Sequence, residues 1–193
     1  VTGGPTSESE LIRRARAGDE DAFAELVMLH ADRVYGALRR FGLDAAEADE
    51  VAQEVFLRAW RGLPRFEGRA QFSTWLYRIA FNEAQRRLSR RPPRRADVAL
   101  DREDPIASLP ASPNLSPEAQ TLDREFERTL ERALDQLPME WRAAVVLRDI
   151  QGLSTHDAAK IVGVGEAAFK SRLHRGRMQL RTLLEPYLRL EEG

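Results

Sequence analysis

Three stretches of this 193-residue chain put chemically capable side chains at regular spacing. Toward the C-terminus Lys170, His174, Arg177 and Arg181 recur at intervals of three and four, with Ser171, Arg172 and Arg175 beside them. On a helix that spacing makes one cationic, hydrogen-bonding face, suited to phosphate oxygens and to base edges in a duplex major groove. Between them Arg65-Phe-Glu-Gly-Arg-Ala-Gln-Phe-Ser-Thr-Trp75 sets aromatic rings among arginines, and Trp75, Ile79, Asn82 and Arg86 then share a helix face. Rings that stack on bases, cations that hold phosphates and an amide that reads a base edge are what an unpaired strand requires. Upstream, Asp49, Glu50, Gln53, Glu54 and Leu57 line one side of a helix whose other side is Ala48, Val51, Val55 and Ala59. An acidic, amide-bearing face beside a core face implies a partner of complementary basic charge.

The same inventory argues against catalysis. The chain holds His30, His156 and His174, no Cys, no Glu-x-x-His pair, no P-loop and no glycine-rich dinucleotide turn. Disulfides, thiolate zinc sites, iron–sulfur clusters and a cysteine nucleophile are therefore excluded, and neither a metal nor a cofactor nor a small-molecule substrate is expected. Carboxylates 49, 50 and 54 have no partner nucleophile on their exposed helix face, so the reading is a protein that is not an enzyme. His30 falls on an apolar stripe and reads as a packed histidine. The longest unbroken apolar run is Ala143–Leu147, far short of the roughly 20 residues a bilayer-spanning helix needs. The polar, acidic first ten residues do not read as a secretory signal, so the expectation is a cytoplasmic protein with no direct membrane insertion.

The elements that must position these side chains are all helical. Ser7-x-x-Glu10 opens a short helix ending near Gly18. Asp19 caps a second with the apolar stripe Phe23, Leu26, Val27, His30, Val34 and Leu38, and Asp44 with Glu47 starts a third to about Arg61. A fourth runs from about Ser73 to Arg90, where Pro92-Pro93 stops it. Residues 92–116 are rich in proline and acid without an apolar period, and read as a linker. Ser116-Pro117-Glu118 begins a helix to about Gln136, followed by others from about Pro138 to Asp149, Thr155 to Val162 and Glu166 to Leu184. The last two, with Ser154-x-x-Asp157, the small Ala159 and Gly163 between them, have helix-turn-helix spacing, and Phe169, Leu173, Gly176 and Leu180 form the buried face of the second. The fold class is all-α: two small helical domains, 8–91 and 117–187, joined by a Pro-rich acidic linker. Charge follows the same division, with residues 1–57 at −6, 58–95 at +9, 96–135 at −6, 136–165 neutral and 166–193 at +2. Two basic blocks between acidic ones point to two surfaces for anionic ligands.

Taken together, these blocks resemble a bacterial RNA polymerase sigma factor of the extracytoplasmic-function type, in the sigma-70 family. Ala46-Glu-Ala-Asp-Glu-Val-Ala-Gln-Glu-Val-Phe-Leu-Arg-Ala-Trp60 is similar to region 2.2, Phe72-Ser-Thr-Trp-Leu-Tyr-Arg-Ile-Ala-Phe-Asn82 to regions 2.3 and 2.4, and Leu137–Leu147 with the helix-turn-helix to regions 4.1 and 4.2. The resemblance implies a subunit that binds core RNA polymerase, through the β′ clamp coiled coil and the β flap, and directs initiation at promoter DNA. It implies polymerase contacts at Asp49, Glu50, Gln53, Glu54 and Phe56. It implies −10 contacts at Phe66, Glu67, Gly68, Arg69, Phe72, Trp75, Asn82 and Arg86, and −35 contacts at Lys170, Ser171, Arg172, His174, Arg175 and Arg177. An anti-sigma factor is a further implied partner. The chain departs from the common family pattern at Asp49-Glu50, where Glu-Asp is usual, and at Gly165 and Ala167-Ala168-Phe169, where Ser or Pro and then Gly-Thr-Val lead into the recognition helix. The alternative is a two-domain helix-turn-helix regulator that does not bind polymerase.

Overall fold

A computed structural model describes residues 7–91 and 117–188, with side chains in the second stretch for residues 126–187. The expected linker, 92–116, lies outside the described residues. Among them there is no strand, as the all-α reading requires.

Four helices make the first bundle. α1 (Glu8–Arg16) is opened by Ser7, whose hydroxyl accepts from the Glu10 N–H at 3.3 Å, while the Glu10 carboxylate binds Arg13 rather than completing a capping box. α2 (Glu20–Arg40) is capped by Asp19, which accepts from the Ala22 N–H at 3.0 Å and from Arg14 at 2.8 Å. α3 (Ala45–Gly62) begins with a reciprocal box between Asp44 and Glu47. Pro64 then holds a single 3₁₀ turn, Leu63–Arg65, before the loop that leads into α4 (Phe72–Ser89). Leu11, Leu26, Val34, Leu38, Val55, Leu63 and Leu76 close the core between them. His30 is buried among these as expected; its Nε2 lies 2.9 Å from Glu8 Oε1 and its ring edge meets Phe72.

The second bundle is built from α5 (Pro117–Asp135), α6 (Met139–Val145), α7 (Thr155–Val162) and α8 (Glu166–Leu188). The sequence reads one regular helix to about Asp149; instead α6 widens after Val145 into a π turn over Val146–Ile150. There the Gln151 N–H reaches back five residues to the Val146 carbonyl at 2.9 Å, and the Leu153 N–H takes the Leu147 carbonyl at 3.1 Å. This wide turn keeps backbone groups satisfied while Leu153 turns in to be buried. α8 also runs one turn beyond the expected Leu184, with Pro186 inside its last turn, where the lost N–H breaks little of the ladder. Gly176 is needed for close approach: a Cβ there would stand 2.8 Å from Val145 Cγ2 and 3.0 Å from the Trp141 carbonyl. Burial of Phe169 on the same face is worth about 1.5–3 kcal/mol.

The bundles do not hang apart. α7 lies against α4 and α5 touches α2, so the buried residues form one continuous core.

Candidate functional site

The α2–α3 pair leaves an open groove of about 1160 Å³ on the first bundle. Its floor is apolar: Phe23, Val27 and Tyr35 come from α2, and Ala52, Phe56 and Trp60 from α3, with the Phe23 and Trp60 rings 4.9 Å apart. Its rim is acidic and polar, carrying Glu20, Asp32, Asp49 and Gln53. Leu57 at the edge is half exposed, and Met28 on α2 is 80% exposed. Rings and aliphatic groups left open beside carboxylates suit a partner helix with an apolar stripe and basic flanks.

The five α3 residues assigned to the polymerase contact divide between two faces. Asp49, Gln53 and Phe56 line the groove. Glu50 turns toward α4, where its Oε2 meets Arg87 Nη2 at 2.9 Å, and Glu54 Oε1 meets Arg58 Nε at 2.7 Å one turn along α3. Arg58 also reaches Glu83 at 3.1 Å, so this edge of α3 is neutralised by its own neighbours. The α2 half of the groove was missed. Its signal was present, since Phe23, Val27, Ala31 and Tyr35 recur every four residues. That stripe runs beside Leu26, His30, Val34 and Leu38, and the two merge into one in a linear pattern.

In the 65–75 loop the structure buries two of the rings that the resemblance assigns to −10 contacts. Phe66 is 9% exposed and Phe72 3%. They pack with Trp75 as a trio, with ring centroids 5.1 to 5.8 Å apart. Burying two phenyl rings outweighs displaying them, because each gains about 1.5–3 kcal/mol on leaving water. The exposed part of the loop is Glu67, Gly68 and Arg69, with Arg69 Nε on Glu67 Oε2 at 2.6 Å and Gly68 at φ +71°. Trp75 is half-buried, Asn82 is exposed, and Arg86 is exposed with its Nη1 on Glu83 at 2.9 Å.

The helix-turn-helix forms as its residues dictate. Ser154 Oγ accepts from the Asp157 N–H at 3.0 Å to start α7, and Gly163 ends it in the left-handed conformation at φ +71°. The Val164 N–H closes the turn on the Ala159 carbonyl at 3.1 Å. On α8, Lys170, Ser171 and His174 are exposed and have no side-chain partner among the described residues. Arg175 lies 6.0 Å from the Trp141 ring centroid, and Arg172 is 3.5 Å from Glu140. Arg177 is held in a two-pronged contact by Asp149, at 2.9 and 2.6 Å, and those hydrogen bonds push its guanidinium further up from the ordinary arginine value. The site therefore offers free donors and acceptors at 170, 171 and 174, flanked by arginines whose direction is set by α6 and the π turn.

No grouping of three or more His, Cys, Asp or Glu able to hold a metal occurs among the described residues. Nor is any helix among them long and apolar enough to cross a membrane.

Comparison with known proteins is concordant along the chain. Family models match at residues 26–92, as Sigma-70 region 2, and at 127–180, as Sigma-70, region 4. The chain is 38% identical to the RNA polymerase sigma-H factor of Pseudomonas aeruginosa, covering 94% of this chain and 96% of that one. It is 33% identical to the ECF RNA polymerase sigma factor SigW of Bacillus subtilis, covering 90% and 94%. Among solved structures it is similar to CnrH, in complex with the cytosolic domain of CnrY, with TM-score 0.64, 27% identity and 91% and 96% coverage. A sigma factor RpoE from Bartonella quintana shares the fold, with TM-score 0.63 at 21% identity and 84% and 96% coverage.

Proposed function

This chain belongs to the extracytoplasmic-function sigma factors of the sigma-70 family, and from that membership we propose how its surfaces divide the work of starting transcription. It binds core RNA polymerase and directs initiation at promoters. The observation that carries the division is that an apolar, acid-rimmed groove on one bundle and a free polar helix face on the other lie apart on separate elements. In this reading the first bundle, 8–91, docks on polymerase through Asp49, Gln53 and Phe56, and Phe23, Val27 and Trp60 across the groove extend that contact. Glu20, Asp32 and Asp49 set the electrostatic rim, with Glu50 and Glu54 paired to arginines beside it.

The −10 strand is taken by Glu67, Gly68 and Arg69 with Trp75, Asn82 and Arg86, over the floor made by Phe66 and Phe72. Unstacking a base costs a few kcal/mol, about what one or two stacking contacts return. The second bundle, 117–187, reads −35 base edges with Lys170, Ser171, His174 and Arg175, while Arg172 and Arg177 hold phosphates. None of these roles involves a bond-making step. The work is cytoplasmic, where polymerase acts. A polypeptide that masks the groove would control it; the similar protein CnrH forms a complex with the cytosolic domain of CnrY.

The test is capture of core polymerase by the wild type and by Gln53→Ala/Glu54→Ala, followed by run-off transcription. Wild-type capture that is weakened in the double variant supports this reading. Tight duplex binding without polymerase capture overturns it in favour of a stand-alone regulator.

A further inference from the structure

α8 opens with a carboxylate on the side that carries its cations. Glu166 is its first residue, and Lys170 and His174 follow at spacings of four and eight, so the three share one exposed face. A glutamate four residues before a lysine ordinarily pairs with it along the helix. Here it does not. Glu166 Oε1 lies 2.9 Å from Nδ1 of His156, on α7 across the turn, and Lys170 is left without a side-chain partner among the described residues. A carboxylate only accepts, so the imidazole nitrogen is the donor, and the bond ties the start of α8 to the helix before it. Only Oε1 is engaged among the described residues, which leaves Oε2 for a base.

Other carboxylates near this face are turned onto cations or caps. Asp149 holds Arg177, Glu140 meets Arg172, and Asp157 accepts from the Ser154 hydroxyl at 2.7 Å. Between Glu166 and Arg181, α8 sets Glu166 alone against Lys170, Arg172, Arg175, Arg177 and Arg181. Beside phosphates a lone carboxylate is repelled and weakens duplex binding, unless a base offers it a donor. In the major groove that donor is an exocyclic amine, N4 of cytosine in the usual pairing of Glu or Asp. Guanine presents O6 and N7 and thymine O4, all acceptors. The first residues of a recognition helix are the ones that reach base edges.

We propose that Glu166 is a specificity-determining residue of the −35 surface, selecting cytosine beside the base read by Lys170. His156 is its positioning residue, holding the carboxylate off Lys170 so that both side chains are available to the groove. This rests on the proposed −35 role of α8.

The test is selection from duplexes randomised over the −35 element, by the full chain assembled with core polymerase and, in parallel, by the full chain alone. Glu166→Ala is expected to relax the preference for cytosine about tenfold at one base pair, and to raise affinity for duplexes that lack it. Glu166→Gln is expected to move the preference there to adenine, whose N6 and N7 match an amide. His156→Ala lets the carboxylate fall onto Lys170 and is expected to weaken the preference about twofold at both base pairs. His156→Gln keeps a donor and restores it, and in a Glu166→Ala background His156→Ala changes nothing further. A His156 that merely supports the fold would weaken all duplexes alike in either background, and that result overturns the positioning role. An unchanged preference at every base pair in Glu166→Ala, while Lys170→Ala still shifts its own position, overturns the specificity role. If Lys170→Ala shifts none either, the −35 reading of α8 falls and this inference falls with it.

Discussion

The groove of the first bundle and the exposed face of α8 are the two proposed partner surfaces, and they are built on opposite physical terms. The groove is a set of rings and aliphatic side chains, from Phe23 to Trp60, that the bundle leaves uncovered, and its neighbouring charges at Glu50, Glu54, Arg58 and Arg87 are mostly satisfied internally. α8 shows little apolar surface beyond Met178 and Tyr187, and it holds Lys170, Ser171 and His174 free. In the proposed reading the first surface binds by removing apolar area from water, which salt hardly weakens. The second binds by replacing counterions and water at phosphates and base edges, which salt weakens steeply. The proposal thus gives one chain a salt-tolerant anchor and a salt-sensitive reader.

The sharpest way to break this contrast is Phe56→Asp. A carboxylate in the groove floor is expected to reduce polymerase affinity on the order of 100-fold, the scale of a buried aromatic anchor, while −35 duplex binding is unchanged. Binding measured in parallel at two salt concentrations checks both halves. Next in size, Lys170→Ala is expected to cost about 1–3 kcal/mol at one base position and to relax preference there. Competition among −35 duplexes altered one base pair at a time reads this.

Arg177→Ala is expected to lower the slope of log affinity against log salt by about one and to weaken all sequences alike. Asp149→Asn should act in the opposite direction, because it releases the Arg177 guanidinium from its carboxylate partner and strengthens duplex binding a few-fold. The smallest effect concerns the α1–α2 joint behind the groove. The Ala22 N–H, and then Arg14, hold the Asp19 carboxyl below its ordinary range. Its folded value is depressed, so its contribution is present above the unfolded value of about 4 and is lost as pH falls through the folded one. Asp19→Asn is therefore expected to flatten stability against pH below about 4, as followed by helical circular dichroism.

Much of the fold was legible because helix ends are local. Ser7, Asp19, Asp44 and Ser154 each cap the helix that follows, by a bond within three residues, and Gly163 supplies the one left-handed residue the turn needs. The apolar face of α8 was equally readable from Phe169, Leu173, Gly176 and Leu180, all of which are buried. Charge was less so. Arg39 and Arg40 count as basic in any tally, yet both are buried at the end of α2, and Arg87 and Arg91 are turned onto Glu47. The net charge of a segment does not show which cations reach solvent.

By itself, then, the sequence determined what depends on neighbours along the chain: eight helices among the described residues, their caps, the helix-turn-helix, and the polar face of α8. These follow from spacings of three and four residues and from hydrogen bonds that close within one turn. Tertiary structure decided which of two adjacent stripes on α2 became core and which became groove. It also decided that the Phe66 and Phe72 rings are buried against each other, and that Tyr77 meets Gln151 across 74 residues. Those outcomes depend on competition for buried area among distant segments, and a side chain's own position in the sequence carries no record of who will cover it.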